Sequence, residues 1–309
     1  MFFERSTMQK ITPFLWFNSN AEEAVSLYTS IVPNSSIGQV SRYGKEGYDV
    51  HHMREGTAMT ISFVLGGLSF TALNGGPNPI TPNPSISFHI KCASAEEVDA
   101  IWNKLLPGGT VLMELGSYPF SKRYGWVQDA YGFSWQVICV ENQPLTQKIT
   151  PVLMYTGTNA GRAEEAMKFY ISLFENSKIT MISRYGKGME PDTENSISYG
   201  SFTLDGIEFG AMDSAHPHAF TFNEAISLSV ACSNQEEVDR LWSRITENGG
   251  KESMCGWAVD TFGVSWQITP MRLMELMSDP DKEKAGRVMN AMLTMKKIDI
   301  ATIESAANA

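Results

Sequence analysis

The chain has 309 residues and a formal net charge of −10, with 43% hydrophobic and 19% charged residues. This composition is typical of a folded globular protein, and the length favours two domains, each large enough to bury a core. No apolar run is long enough to span a bilayer, and the acidic balance disfavours nucleic acid as a partner. Without a recognisable secretion signal or paired cysteine spacing, the chain is expected to be cytoplasmic.

The first part of the chain is predicted as a strand, a helix and three further strands, the order βαβββ. These strands are expected at residues 11–17, 36–43, 58–65 and 68–73. The helix is expected to begin after Asn20, whose side chain would cap free backbone amides while Glu23 reaches back. Gly66-Gly67 predicts a hairpin turn between the last two strands.

The same βαβββ order restarts at residue 86. Its strands are expected at 86–92, near 110–115, near 125–128 and at 133–140. Ser94 and Glu97 have the spacing of a capping box and predict the start of the second helix. Two modules of the same kind therefore lie within the first 141 residues.

The second half of the chain repeats the first. KITPFLWF at Lys10 recurs as KITPVLMY at Lys148, and GWVQDAYGFSWQV at Gly125 recurs as GWAVDTFGVSWQI at Gly256. Self-similarity of this length predicts a duplicated architecture. We therefore predict an α+β fold of four βαβββ modules in two tandem domains, joined by a short polar linker at 141–147. The domains are expected at 8–141 and 148–271, followed by a helical C-terminal tail at 272–309.

The tail lies outside the repeat. Ser278-Asp279-Pro280 predicts an N-cap with a first-turn proline. Apolar residues at helical spacing follow at Ala285, Val288, Met289, Met292 and Met295. This methionine-rich face is expected to pack on the protein's own domain, with a partner subunit as the alternative.

Paired βαβββ modules that end in a D-x-x-G-x-x-x-[EQ] strand resemble the vicinal-oxygen-chelate superfamily, which includes glyoxalase I, extradiol dioxygenases and antibiotic-binding resistance proteins. The motifs ITPFLWF, SRYG, SFTALNGGP, SISFHIKC and YGWVQDAYGFSWQ are similar to those of its PhnB-like group. Some PhnB-like proteins are labelled 3-demethylubiquinone 3-methyltransferase. The resemblance implies a glyoxalase-like fold and paired units, either in a homodimer or internally in one tandem chain.

The resemblance also implies a divalent metal, held by His or Gln on the first strand, a His opening the second unit and a Glu on the last strand. The last-strand position falls on Gln136 and Gln267, and the remaining positions fall near Pro13, Pro151, Ser85 and Ala225. A catalytic cation needs several His or carboxylate ligands, so we expect no metal site. No Gly-rich strand-to-helix turn follows an early strand, so we expect no nucleotide-type cofactor.

Strand alternation places Trp135 on the opposite face from Gln136, and we expect the tryptophan in the core and the glutamine in a cleft. The candidate ligand-binding residues are Trp126, Ser134, Gln136, Trp257, Ser265 and Gln267, with Arg42 and Arg184 as cations that could meet an anion. Ion pairs with local carboxylates are the alternative for the arginines. His89 is expected to be structural, and Asp129 and Asp260 to fix turns.

These patterns favour a metal-free protein that binds a small molecule, because the scaffold is retained while the implied metal ligands are missing. The alternative is an enzyme of lyase or transferase type that acts on a small oxygenated substrate, although no catalytic residue can be named. A third hypothesis is the S-adenosylmethionine-dependent methyltransferase activity for which some relatives are labelled.

Overall fold

The computed structural model describes residues 9–45, 48–77, 79–141 and 145–309. Module 1 contains β1 (Ile11–Phe17), α1 (Ala21–Ile31), β2 (Ser36–Arg42), α2 (Tyr48–His51), β3 (Ala58–Leu65) and β4 (Leu68–Asn74). Module 2 contains β5 (Ile86–Cys92), α3 (Ala95–Leu105), β6 (Thr110–Tyr118), β7 (Ser121–Gln128) and β8 (Ser134–Cys139).

Module 3 contains β9 (Ile149–Tyr155), a 3₁₀ turn (Gly157–Asn159), α4 (Ala163–Ile171), β10 (Lys178–Arg184), β11 (Ile197–Leu204) and β12 (Ile207–Asp213). Module 4 contains β13 (Ile226–Cys232), α5 (Gln235–Thr246), β14 (Lys251–Glu252), β15 (Trp257–Val259) and β16 (Ser265–Pro270). The predicted α+β class with tandem βαβββ modules is confirmed. Within the described residues, no helix has both the length and the apolar character that a membrane span requires.

The strands form two eight-stranded mixed sheets, and each sheet combines modules from both sequence repeats. The outer-module sheet joins modules 1 and 4 in the order β14-β15-β16-β13-β1-β4-β3-β2. The inner-module sheet joins modules 2 and 3 in the order β10-β11-β12-β9-β5-β8-β7-β6. The two repeats meet through antiparallel pairs at the sheet centres, β1 with β13 and β5 with β9.

Because the sheets do not follow the sequence repeats, the domain boundaries at 8–141 and 148–271 stay a prediction. Met8 and residues 142–144 of the predicted linker lie outside the described residues.

Within each repeat, aromatic side chains pack between the helices and the two sheets. Trp135 on β8 is 1% exposed and lies 4.9 Å from the Tyr28 ring of α1 and 5.3 Å from the Phe88 ring, between ring centroids. Trp266 packs in the same way against Tyr170, at 5.4 Å. The tryptophans therefore lie on the core face, as strand alternation predicts.

Two buried aspartates hold these cores together. Asp129 Oδ1 accepts hydrogen bonds from the backbone N–H groups of Tyr131 (2.8 Å) and Phe133 (3.0 Å), which fixes the turn as predicted. Its Oδ2 accepts from Tyr28 Oη and Trp135 Nε1, both at 2.7 Å, and so also ties α1 to β8. Burial raises the pKa of Asp129, and these hydrogen bonds oppose the rise. The second repeat has the same four contacts, with Asp260 accepting from Phe262, Val264, Tyr170 and Trp266.

Of the two predicted capping boxes, one is wrong. Ser94 Oγ accepts from Glu97 N at 3.3 Å, as predicted. The Asn20 side chain makes no capping hydrogen bond, because Asn74 Oδ1 at the end of β4 accepts from Ala21 N at 2.9 Å instead. A side chain distant in sequence thus replaces the local cap.

Residues 271–309, all of them described, form three helices: α6 (Met271–Met277), α7 (Lys282–Leu293) and α8 (Ile300–Asn308). The cap predicted at Ser278-Asp279-Pro280 is wrong, since Asp281 caps α7 by accepting from Glu283 N and Lys284 N. The helices enclose a small apolar cluster formed by Leu273, Leu276, Val288, Ile298, Ile303 and Ala307. Met292 and Met295 pack against this cluster, so the predicted apolar face is used within the chain.

Candidate functional site

Each sheet has a core face and an opposite face, which we call the glutamine face because it carries Gln136 or Gln267. Residues paired across neighbouring strands share a face. On the inner-module sheet, a row of paired residues crosses four strands: Trp126, Gln136, His89 and Thr150. The corresponding row of the outer-module sheet is Trp257, Gln267, Ser229 and Thr12.

The Gln136 carboxamide bonds to three neighbouring side chains. Its Oε1 accepts from Tyr124 Oη at 2.6 Å and lies 2.7 Å from His89 Nε2, while its Nε2 donates to Ser87 Oγ at 2.8 Å. Gln136 is 1% exposed. The cleft predicted around Gln136 is therefore filled by a hydrogen-bonded cluster.

His89 is a neutral member of this cluster. Because Gln136 Oε1 can only accept, the hydrogen-bond network assigns the imidazole proton to Nε2. Burial lowers the pKa of His89 to about 4; the Gln136 hydrogen bond opposes this shift and the Lys91 charge adds to it. The ring stacks on Tyr199 at a centroid distance of 5.3 Å. His89 is thus satisfied within the fold, but its position beside Gln136 was not predicted.

Gln267 has fewer partners than Gln136. Its Nε2 donates to Ser227 Oγ at 2.9 Å, and no donor within the described ranges reaches its Oε1. Three small side chains stand where the inner-module sheet has large ones. By register and repeat, Ser229, Cys255 and Thr60 correspond to His89, Tyr124 and Tyr199. Gln267 is 8% exposed, against 1% for Gln136.

Three half-buried aromatic residues lie beside Gln267. The Trp257 ring meets the Phe14 and Trp16 rings edge to face, each at 6.1 Å between centroids. Trp16 lies directly on Gly75, where an added Cβ would be 2.1 Å from the indole. Sequence reasoning selected Trp257 but missed Phe14 and Trp16, which alternate with core residues along β1.

The two predicted serines, Ser134 and Ser265, also differ in their hydrogen-bond partners. Ser134 Oγ accepts from Trp126 Nε1 at 2.6 Å, within the inner-module sheet. Ser265 Oγ is buried and has no hydrogen-bond partner among the described residues. A buried hydroxyl without a partner is destabilising unless a ligand or water satisfies it.

The two predicted cations do not join either glutamine. Arg42 Nη2 lies 3.7 Å from Glu22 on α1, and Arg184 Nη2 lies 2.7 Å from Glu164 on α4. Both arginines are exposed. The structure thus favours the alternative of local ion pairs, which contribute little at such exposure.

The divalent metal that the fold implies does not fit these residues. Across the described ranges, no group of three or more His, Cys, Asp or Glu side chains could hold an ion. The residue paired with Gln136 is His89 rather than one near Ser85, and its Nε2 is engaged by Gln136. One imidazole beside a neutral amide is a poor ligand set for a divalent cation.

The fold and the tandem modules are those of the vicinal-oxygen-chelate superfamily. A family model described as 3-demethylubiquinone-9 3-methyltransferase matches residues 9–138 and 147–269, and the chain belongs to this PhnB-like family.

A PhnB protein from Bacillus cereus is 41% identical to the chain, over 43% of this chain and 100% of that one, with a TM-score of 0.40. Glyoxalase I from Zea mays is 12% identical over 84% of this chain and 90% of that one; its TM-score of 0.53 reflects a shared fold. No curated protein sequence is significantly similar to the chain.

Proposed function

We propose that the chain is a metal-free small-molecule-binding protein whose ligand site is the glutamine face of the outer-module sheet. The observation that carries this proposal is the asymmetry between the two sheets. The residues that correspond to His89, Tyr124 and Tyr199 of the inner-module sheet are the smaller Ser229, Cys255 and Thr60, and Gln267 is 8% exposed against 1% for Gln136.

The aromatic residues supply the apolar part of this site. Trp257, Phe14 and Trp16 present half-buried rings at right angles, a surface suited to a flat apolar or aromatic body. Their rigid placement lowers the entropy lost on binding, since Trp16 is packed on Gly75.

Two polar groups supply the directional part. Gln267 Oε1 can accept a hydrogen bond, and the buried Ser265 Oγ has no partner among the described residues. An apolar pocket with a few converging polar groups is the usual form of a small-molecule site. The ligand we propose therefore has a flat apolar body and at least one hydrogen-bond donor.

An enzyme remains the alternative, including the methyltransferase of the family description. It would require an acid or base near the bound ligand, whereas the residues closest to Gln267 in the sheet are Ser227, Ser229 and Trp257. Binding without catalysis is the simpler function for these groups.

We further propose that the paired units of the superfamily are supplied internally in this chain. The composition of the sheets supports this, because each contains modules of both repeats. Light scattering should then give a mass near the 34.2 kDa of one chain. The four cysteines are free thiols, which supports a reducing compartment and hence a cytoplasmic location.

A thermal-shift screen of flat aromatic compounds tests the binding site. A hit should raise the melting temperature and quench Trp257 fluorescence, because a ligand of the native state stabilises it by mass action. Gln267→Ala should weaken a hit by about 1–3 kcal/mol through loss of one buried hydrogen bond.

The matched control uses the equivalent tryptophans. Trp257→Phe should reduce affinity for the hit, while Trp126→Phe on the inner-module sheet should leave it unchanged. If Trp126→Phe abolishes binding and Trp257→Phe does not, the site has been assigned to the wrong sheet.

A further inference from the structure

The strand pair that carries Trp257 is shorter than its counterpart in module 2. Gly125 lies 23 residues after Trp102, whereas Gly256 lies 14 residues after Trp242, a difference of nine. The hairpin partner strand is correspondingly reduced, from nine residues in β6 to two in β14. Module 4 therefore lacks the strand that supports the start of β7 in module 2.

The C-terminal tail occupies the place of that missing strand. Cys255 N donates to Met295 O, and Gly256 N donates to Lys296 O, both at 2.7 Å. In the inner-module sheet, the residue equivalent to Cys255 is Tyr124, which pairs with Gly116 of β6. The tail segment that begins at Met295 thus bonds to Cys255, whose counterpart in module 2 pairs with its own hairpin strand.

These hydrogen bonds hold a turn that directly precedes Trp257. Cys255 and Gly256 both have positive φ, at 59° and 82°, and a left-handed conformation is unfavourable for the non-glycine residue. Ile298 of the tail packs on this turn, since a Cβ added to Gly256 would lie 3.2 Å from its Cγ1. Trp257 is next in the chain and pairs with Gln267.

Two side chains of α5 hold the tail in this position: Gln235, and Asp239, which forms an ion pair with Lys297. Gln235 Oε1 accepts from Ile300 N at 2.8 Å, and its Nε2 donates to Ile298 O at 3.2 Å. The equivalent residue of module 2, which has no tail against it, is Ala95. Gln235 is thus specific to the module that holds the tail.

We infer that residues 295–298 of the C-terminal tail are a structural part of the ligand site, because they position Trp257 beside Gln267. Ile298 and Gln235 are positioning residues in this arrangement. The consequence for ligand affinity rests on the function proposed above, whereas the positioning itself can be measured without a ligand.

Hydrogen–deuterium exchange of the full-length protein tests the positioning. Gln235→Ala installs the residue that module 2 carries, and so removes the two Gln235 hydrogen bonds to the tail while the Asp239–Lys297 ion pair remains. Amides of residues 255–257 should exchange about tenfold faster, which corresponds to about 1.4 kcal/mol of local opening. Arg272→Ala is the matched control, because Arg272 pairs with Glu304 inside the tail and not with α5.

Alkylation of Cys255 by iodoacetamide gives a second readout. This thiol is half-buried, its backbone N–H donates to Met295 O of the tail, and the buried Cys92, Cys139 and Cys232 are internal references. Gln235→Ala should accelerate labelling of Cys255 alone. Ile298→Asp, which forces a charge into the contact with the turn, should produce a larger change of the same kind.

The outcomes separate the two proposals. Unchanged exchange and labelling in both Gln235→Ala and Ile298→Asp would overturn the positioning role, whatever the ligand screen shows. Faster exchange in both variants, together with a control that matches the wild type, supports it. A screen without any hit would count against the proposed binding function and leave the exchange result standing.

Discussion

Acidification should destabilise the protein through His89. The imidazole is 6% exposed, and burial lowers its pKa to about 4. In the unfolded chain, the pKa of histidine is about 6.5, so between these values the unfolded state binds a proton that the folded state does not. This contribution to stability is therefore complete above pH of about 6.5 and is lost as the pH falls towards about 4.

The size of the effect follows from the two pKa values. A difference of about 2.5 in pKa corresponds to about 3 kcal/mol of unfolding free energy. The steepest loss should be about 1.4 kcal/mol per pH unit, the slope expected for one proton. The buried carboxyl groups of Asp129, Asp213 and Asp260 have raised pKa values and act in the opposite sense, so the total pH dependence does not isolate His89.

A comparison of the wild type with a His89 variant isolates the contribution of His89 to the pH dependence. Urea unfolding of the wild type and His89→Gln should be followed from pH 7.5 to 4, because glutamine can still donate to Gln136 but does not titrate. The wild type should lose about 3 kcal/mol more than the variant over this range. Parallel curves for the wild type and the variant would mean that His89 binds its proton equally in the folded and unfolded states. The assignment of a buried, neutral imidazole would then be wrong.

Three further predictions concern the two sheets and the metal. Gln136→Ala should lower the unfolding free energy by about 2–4 kcal/mol, because it leaves three buried groups without a partner. Gln267→Ala should lower it by less than about 1 kcal/mol. Equal losses in urea unfolding would contradict the asymmetry between the two sheets. Asp129→Asn and Asp260→Asn should each cost about 2–4 kcal/mol, since the new NH₂ group must face existing donors; unchanged melting temperatures would argue against the four-donor clamps. The dialysed protein should carry no stoichiometric zinc, nickel, iron or manganese, and elemental analysis that finds one ion per domain would refute this.

Local features of the fold could be predicted because they depend on neighbouring residues. The strands at Ile11–Phe17, Ala58–Leu65 and Ile86–Cys92 match their predicted bounds, since alternation and turn residues are both local signals. The cap at Asn20 failed for the opposite reason. Its role is taken by Asn74, which is distant in sequence and reaches α1 only after the sheet has formed.

The candidate site was less accessible to sequence reasoning. Both glutamines occupy the same motif, so the repeat itself suggested equivalent sites. The difference arises from Ser229, which meets Gln267 only through strand register, and from Cys255 and Thr60, which are smaller than their counterparts Tyr124 and Tyr199. The pairing of His89 with Gln136 likewise depends on the register of two parallel strands, which no local pattern specifies.

The pairing of module 1 with module 4 has a consequence for synthesis on the ribosome. Ile11 of β1 pairs with Val230 of β13, so one edge of β1 has no partner until most of the chain has been made. At typical elongation rates, this delay is on the order of 10–40 s. The β1–β13 pairing joins residues far apart in sequence, and pairings of high contact order form slowly. During that time the unpaired edge of β1 can pair with strand edges of other nascent chains. This topology therefore favours dependence on chaperones during synthesis. It also favours exchange of modules between two copies of the chain at high expression.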